Sequence, residues 1–438
     1  MSSTVIVLDA RADLDAAMLK LREMAAAAVP AAVMERTLEI VQTVAARGDN
    51  ALVEYTRMFD WPQATVESLV IDHDELDEAF RSVDRDWLNA FRRAKDNLYR
   101  YHERQAPRSW MQDFDGMVLG QYVKPIRAAG LCVPGKMAPL PSTVAHCAVP
   151  AQVAGVSRLV MVTPPGPGGA VDPMRLVAAS ECGIEEVYRV GGAQAVAALA
   201  FGTDTISPVD KIVGPGNSYV TAAKRLVFGR VGIDGLAGPS EAVIVADATA
   251  RPDLVAADLM AQAEHTGDNL VVLLTPSEGL VDAVLESLDR LLGECGREDL
   301  ICQSLQDCGA ILLVDSIQQA LDCANEIAPE HLQLMVEDPL AWLGEVQSAG
   351  AIFLGYAGAV PLGDYAAGPS HVLPTNRSAR FSSGLSVTDF VTASTVLMPS
   401  DRAVEGLASD VIALAEAEGL SAHALAIRLR LNKGPAPE

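Results

Sequence analysis

Residues 242–275 read AVIVADATARPDLVAADLMAQAEHTGDNLVVLLT. A short apolar run, a helix over Asp253 to His265, and a second apolar run make a strand, helix, strand unit. Strands this uniformly apolar suit a parallel sheet whose two faces are both covered by helices. Downstream, AILLV (310–314), HLQLMV (331–336) and AIFLG (351–355) continue the rhythm, separated by helical segments. Upstream, LVMV (159–162), VYRV (187–190) and KIV (211–213) form an earlier series, whose first helix Asp172 would cap with Pro173 at its opening position. Two such series predict an α/β fold with two Rossmann-like, mainly parallel sheets.

The flanks differ. Residues 1–28 read as an arm, 33–48 as a helix stopped by Gly48, and 74–105 as one or two amphipathic helices packed on a neighbouring domain. Near the C-terminus, FSSGLSVTDFVTAST is rich in Ser and Thr; a helical segment then ends near Glu418, and Ser421 would cap a final helix. A tail this short cannot bury its own core, so it must pack on the body or on another subunit.

Lys and Arg number 33 against 57 Asp and Glu, a formal net charge of -24, which repels nucleic-acid phosphates and anionic membrane surfaces. The N-terminus has no cationic stretch leading into an apolar core, and no run approaches the ~18 apolar residues of a membrane span. The expected location is cytoplasmic. Seven cysteines, at 132, 147, 182, 295, 302, 308 and 323, show no C-x-x-C pair, so a metal would rest on nitrogen and oxygen ligands.

Several segments carry candidate chemistry. VGGAQ (190–194) and VGPGN (213–217) each follow a strand and open a helix; no G-x-G-x-x-G occupies such a position. These turns bring backbone N–H groups toward a phosphate or ribose, with Gln194 and Asn217 as side-chain partners, although strand-to-helix turns use glycine in any case. Gln262 and His265 share a face at a helix end, as two metal ligands or as an ordinary C-terminus favoured by histidine. Glu330 and His331 precede an apolar strand, an acid and an imidazole suited to proton transfer, or a solvated loop. Asp364 and His371 share a Gly/Pro-punctuated loop, and His423 lies in the first turn of the last helix, where the positive dipole end favours neutral imidazole.

The strings LCVPGKMAPLPSTV, VGGAQAVAALAFGT, DKIVGPGNSYVTAAKR, GIDGLAGPSEAVIVAD, VAADLMAQAEH, IAPEHLQLMV, AGAIFLG, LGDYAAGPSHVLPT and AEGLSAHA, in this order, resemble the histidinol dehydrogenase family from about residue 30 to 430. The resemblance implies a homodimer that oxidises L-histidinol to L-histidine with two NAD⁺ and one Zn²⁺ per subunit. It places the metal on Gln262, His265, Asp364 and His423, the last supplied across the dimer, and the acid/base pair at Glu330 and His331. Ser240, His371 and Glu418 join the metal ligands and His331 as implied substrate contacts, and Cys132, Gln194 and Asn217 as the NAD⁺ site. The corresponding division is an arm at 1–28, a discontinuous catalytic α/β domain at 29–131 and 239–384, an inserted NAD⁺ domain at 132–238, and a dimerisation tail at 385–438.

Three places depart from the family pattern. Cys132 and Lys136 stand where YVPGG is usual, HTGD follows the QAEH motif, and AHCA occupies 145–148. They leave open a paralogue acting on another hydroxylated substrate, and a non-catalytic zinc-binding dimer. Retention of Glu418, His423 and GPSE favours the dehydrogenase itself.

Overall fold

The computed structural model describes residues 5–25, 29–135, 139–265 and 267–432; Lys136 lies outside the described residues. Its strands, in chain order, are β1 (Ile6–Asp9), β2 (Trp110–Phe114), β3 (Met117–Pro125), β4 (Ala128–Cys132), β5 (Arg158–Val162), β6 (Glu186–Tyr188) and β7 (Lys211–Val213). There follow β8 (Gly232–Ile233), β9 (Glu241–Ala246), β10 (Leu270–Thr275), β11 (Gly309–Leu313), β12 (His331–Met335), β13 (Ala351–Leu354) and β14 (Val391–Pro399). The chain divides into two compact units, Met1–Gln105 with Ile126–Phe390, and Ala106–Pro125 with Val391–Glu438.

The first unit holds two parallel sheets, ordered β6-β5-β4-β7-β8 and β1-β11-β10-β9-β12-β13. In both, a central strand (β4 or β9) is flanked on one side by the next strands in sequence and on the other by later ones. β9 and β10 are buried along their whole length because helices cover both faces. Ile244, Leu273 and Ile311 enter one core; Val243, Val272 and Leu312 enter the other.

The stretch read as an arm carries β1, which pairs in parallel with β11 as an edge strand, and the helix Leu14–Met24. Asp172 caps its helix as expected, accepting from the Met174 N–H at 2.8 Å with Pro173 next in line. Residues 31–105 were grouped from sequence with 239–384, yet their apolar faces cover the five-stranded sheet. Ile40, Val44 and Leu52 pack with Val160 and Ile212, and Phe91 and Leu98 share the opposite core with Leu131 and Met161. A helical stripe specifies that something must cover it, not which sheet.

The second unit contains an antiparallel sheet, β14-β3-β2, absent from the sequence reading. Asp115 and Gly116, both with positive φ (54° and 87°), turn β2 into β3, and the Asp113 carboxylate accepts the Gly116 N–H at 3.0 Å. The helices Asp401–Ala417 and Ser421–Leu431 pack on each other. Ser421 does not cap the last helix: Leu420 occupies that position without a side-chain hydrogen bond, because the tight turn after Gly419 places Ser421 already inside the first turn. Among the described residues no helix is long and apolar enough to cross a membrane.

Candidate active site

The chain leaves the helix Ile317–Ile327 through Ala328, whose φ is 51°, passes Pro329, and enters β12 at His331. Register pairs His331 with Ala242 of β9 and Ala351 of β13, so Glu330 and His331 stand at the amino edge of the sheet. The helix Pro252–Ala263 runs back from β9 to the same edge, where the Asn269 side-chain amide donates to the Gln262 carbonyl at 3.0 Å. Its C-terminus is the negative end of the helix dipole, which favours a nearby cation.

His331 is 4% exposed and lies between two carboxylates: its Nδ1 is 3.7 Å from Glu330 Oε2, and its Nε2 is 3.7 Å from Asp364 Oδ1. Both separations exceed a good hydrogen bond, and neither ring nitrogen nor Glu330 Oε2 has a partner. Burial pushes the Glu330 carboxyl up, against the neighbouring His331 and Ser240, which favour its charged form. Burial alone would lower His331, but the Glu330 and Asp364 charges outweigh it and hold the imidazole above its ordinary value. Asp364 is held below the usual carboxylate range because the His331 imidazole outweighs burial. The three groups thus place an imidazole between two carboxyl groups, largely sheltered from water.

Gln262 is 2% exposed with its Oε1 unpartnered. His265 is exposed just beyond the helix end, and Asp364 and His331 are among the charges acting on it. His371 is half-buried, its Nδ1 2.9 Å from the Asp364 carbonyl and its Nε2 3.2 Å from the Thr143 hydroxyl. Ser240, Gln262, His265, Glu330, His331, Asp364 and His371 therefore all belong to the first unit. Glu418 and His423 belong to the second and are exposed there.

Two contributors escaped the sequence reading. Glu241, next to Ser240, is 5% exposed, and burial and the Glu330 charge push its carboxyl up to about 7. His146, in the atypical AHCA segment, stacks on His371. Glu241 was hidden because it opens a strand whose remaining residues are apolar; His146 had only its rarity as a signal.

At the carboxyl edge of the five-stranded sheet, the chain leaves the adjacent strands β4 and β7 in opposite directions, toward β5 and β8, the kind of switch point at which α/β sheets bind nucleotides. Cys132 ends β4 on one side of it, buried, its thiol pushed up to about 11 by burial. Gly214 follows β7 with φ +101°, and a Cβ there would lie 2.3 Å from the Cys132 carbonyl oxygen, so only glycine fits. Asn217 caps the helix Ser218–Val227, its Oδ1 accepting the Tyr219 and Val220 N–H groups at 3.1 Å each. Only its Nδ2 remains for a ligand. Gln194 is 1% exposed in the first turn of the helix Gly192–Phe201, with Nε2 unpartnered. Lys224 and Asp234, a buried ion pair at 2.7 Å, brace the turn after β7, where the Gly214 N–H donates to Asp234 at 2.6 Å.

A switch point on one parallel sheet and a buried imidazole between two carboxylates on another define the class as that of α/β enzymes with acid/base chemistry. Known proteins resolve the class further. The family model described as histidinol dehydrogenase matches residues 24–431. The chain is 49% identical over 398 residues to the histidinol dehydrogenase of Geobacillus kaustophilus, covering 91% of this chain and 93% of that one. It is also 49% identical over 394 residues to the enzyme of Thermosynechococcus vestitus, covering 90% and 91%. The crystal structure of histidinol dehydrogenase from Elizabethkingia anophelis superposes with a TM-score of 0.92 at 34% identity, covering 98% of each chain. The chain belongs to the histidinol dehydrogenase family.

Proposed function

We propose that this chain oxidises L-histidinol by way of histidinal to L-histidine, using NAD⁺ and a zinc ion in sites completed by a homodimer. The observation that carries this reading is His331 between Glu330 and Asp364, buried and with both ring nitrogens free. Gln262, His265 and Asp364 suit Zn²⁺, which takes imidazole nitrogen together with oxygen donors, and among the described residues no Lys or Arg ion pair neutralises Asp364. Among those residues no three His, Cys, Asp or Glu side chains gather closely enough to hold a metal alone, so the set depends on Gln262 and on His423 of the partner subunit. When bound, zinc would anchor the amino and hydroxyl groups of the substrate, and NAD⁺ would supply the hydride acceptor.

The chain's own groups then have distinct tasks. His331 takes the hydroxyl proton in the first oxidation and a proton of the hydrated aldehyde in the second, and Glu330 assists the addition of water. Ser240 and His371 bind the substrate, as does Glu418 of the partner subunit. Cys132, Gln194 and Asn217 line the NAD⁺ crevice of the lobe built on β4–β8, while the lobe built on β9–β13 holds the metal and the acid/base pair. Closure by a second subunit retains the reactive amino aldehyde between the steps. Support for the dimer comes from apolar side chains exposed on the second unit, among them Trp110, Met111, Leu397, Met398 and Leu414. The unpaired thiols of all seven cysteines fit a reducing compartment such as the cytoplasm.

NADH absorbance with L-histidinol, with and without a chelator, tests the proposal. Two NADH per substrate, lost on chelation and restored by Zn²⁺, is the expected result. Zinc binding without turnover, or turnover only of other alcohols, would overturn it.

A further inference from the structure

His371 is held by one helix of the nucleotide-binding lobe, Pro141–Ala154. Thr143 and His146, three residues apart, project from one face of it. His146 is 1% exposed, and its ring lies parallel to that of His371, 3.9 Å between centroids and 8° between planes. His146 Nδ1 accepts the His371 backbone N–H at 2.9 Å, and the His146 carbonyl accepts the Ser370 hydroxyl at 3.2 Å.

These contacts fix proton positions. The Asp364 carbonyl can only accept, so His371 Nδ1 carries a hydrogen; in the neutral ring Nε2 is then the lone-pair nitrogen, matched by the Thr143 hydroxyl. His146 Nδ1 faces a backbone donor, so its own proton sits on Nε2. An aliphatic side chain would fill the same volume, but it would leave the His371 N–H buried without an acceptor and would give the imidazole no stacking partner.

We infer that His146 is a positioning residue for substrate binding: through its Nδ1 acceptor and ring stack it sets the plane in which His371 meets the substrate. This rests on the substrate-contact role proposed for His371. No partner of this kind was expected from the AHCA segment, and it ties the placement of the substrate loop to the helix that begins just beyond β4.

The test uses the zinc-loaded enzyme and two variants, His146→Leu, which removes the acceptor and the ring, and His146→Asn, whose Oδ1 restores the acceptor. His146→Leu is expected to raise KM for L-histidinol on the order of tenfold, with kcat within about twofold and KM for NAD⁺ unchanged. His146→Asn is expected to return KM to within about threefold of the parent. Two kinetic outcomes overturn the inference: a parental KM in His146→Leu, or a parallel loss of kcat and thermal stability in both variants without rescue by Asn. Nitrogen-15 NMR of histidine-labelled enzyme supplies a readout that needs neither turnover nor a variant. His146 should be the Nε2–H tautomer, its Nδ1 accepting the His371 N–H, and His371 the Nδ1–H tautomer; finding His146 as Nδ1–H would sink the assignment. Failure of the parent enzyme to oxidise L-histidinol would instead strike the functional reading, leaving the tautomer measurement to decide on His146.

Discussion

His331 shows how burial and charge are set against each other at one residue. A buried imidazole ordinarily loses basicity, yet two carboxylates at 3.7 Å reverse the sign, so the ring can hold a proton taken from an alcohol. His331→Asn keeps a polar side chain but removes the titrating nitrogen; it should lower kcat by a hundredfold to roughly ten-thousandfold while zinc and L-histidinol still bind, as read by metal analysis and calorimetry. Loss of zinc in that variant would contradict the role. Glu241 offers a test through stability. Its carboxyl is raised from 4.5 to about 7, so the native state keeps a proton that the unfolded chain has lost, and the contribution to stability falls as pH climbs between those values. Glu241→Gln should therefore be neutral near pH 4.5 and stabilising above pH 7, by up to about 3 kcal/mol. Denaturant unfolding at both ends of that range checks it, and an equal effect at both would refute the buried-acid description. Glu330, His331, Gln262, His265, Asp364 and His371 were legible as residue types at suggestive spacings. Their convergence was not, because Glu330 and Asp364 meet at His331 only after the parallel register aligns β12 with β9 and the following loop folds back.

At the scale of the element, local rules worked where the signal was local. Asp172 and Pro173 start their helix as written, and Gly48, with φ 55°, ends Ala31–Arg47. The β2–β3 turn carried an equally local mark in Asp115-Gly116 that went unread because the flanking strands are exposed and mixed in polarity. Asn217 caps its helix and is proposed to hold the cofactor, and substitution separates the two tasks. Asn217→Ala should lose the cap, about 1 kcal/mol by thermal or denaturant unfolding, and should also weaken NAD⁺ binding. Asn217→Asp keeps an acceptor for the Tyr219 and Val220 N–H groups but loses the Nδ2 donor, so stability should hold while KM for NAD⁺ rises. Parental KM values in Asn217→Asp would remove Asn217 from the cofactor site. Cys132, buried with its thiol pushed up to about 11, is a packed wall of that crevice and not a reactive group.

At the scale of the whole molecule, the proposed dimer makes a strong demand, since His423 and Glu418 belong to a unit separate from the one that carries Glu330 and His331. His331→Asn and His423→Ala homodimers should each be inactive. Random mixing of the two should restore roughly a quarter of the parental activity, because half of the resulting dimers contain one intact site. An inactive mixture, with subunit exchange verified, would mean that each site is built within one chain. The amino-acid order alone determined the two α/β series, the helix starts and stops, and the residue types available for proton transfer and metal binding, because these follow from hydrophobic period, capping and side-chain chemistry. Only the tertiary structure decided that residues 31–105 cover the five-stranded sheet, that β14 pairs with β3, and that His331 lies between Glu330 and Asp364 with His371 stacked on His146. An apolar stripe or an unpaired strand edge requires a partner without naming it, and that choice is made by the shape and register of the completed core.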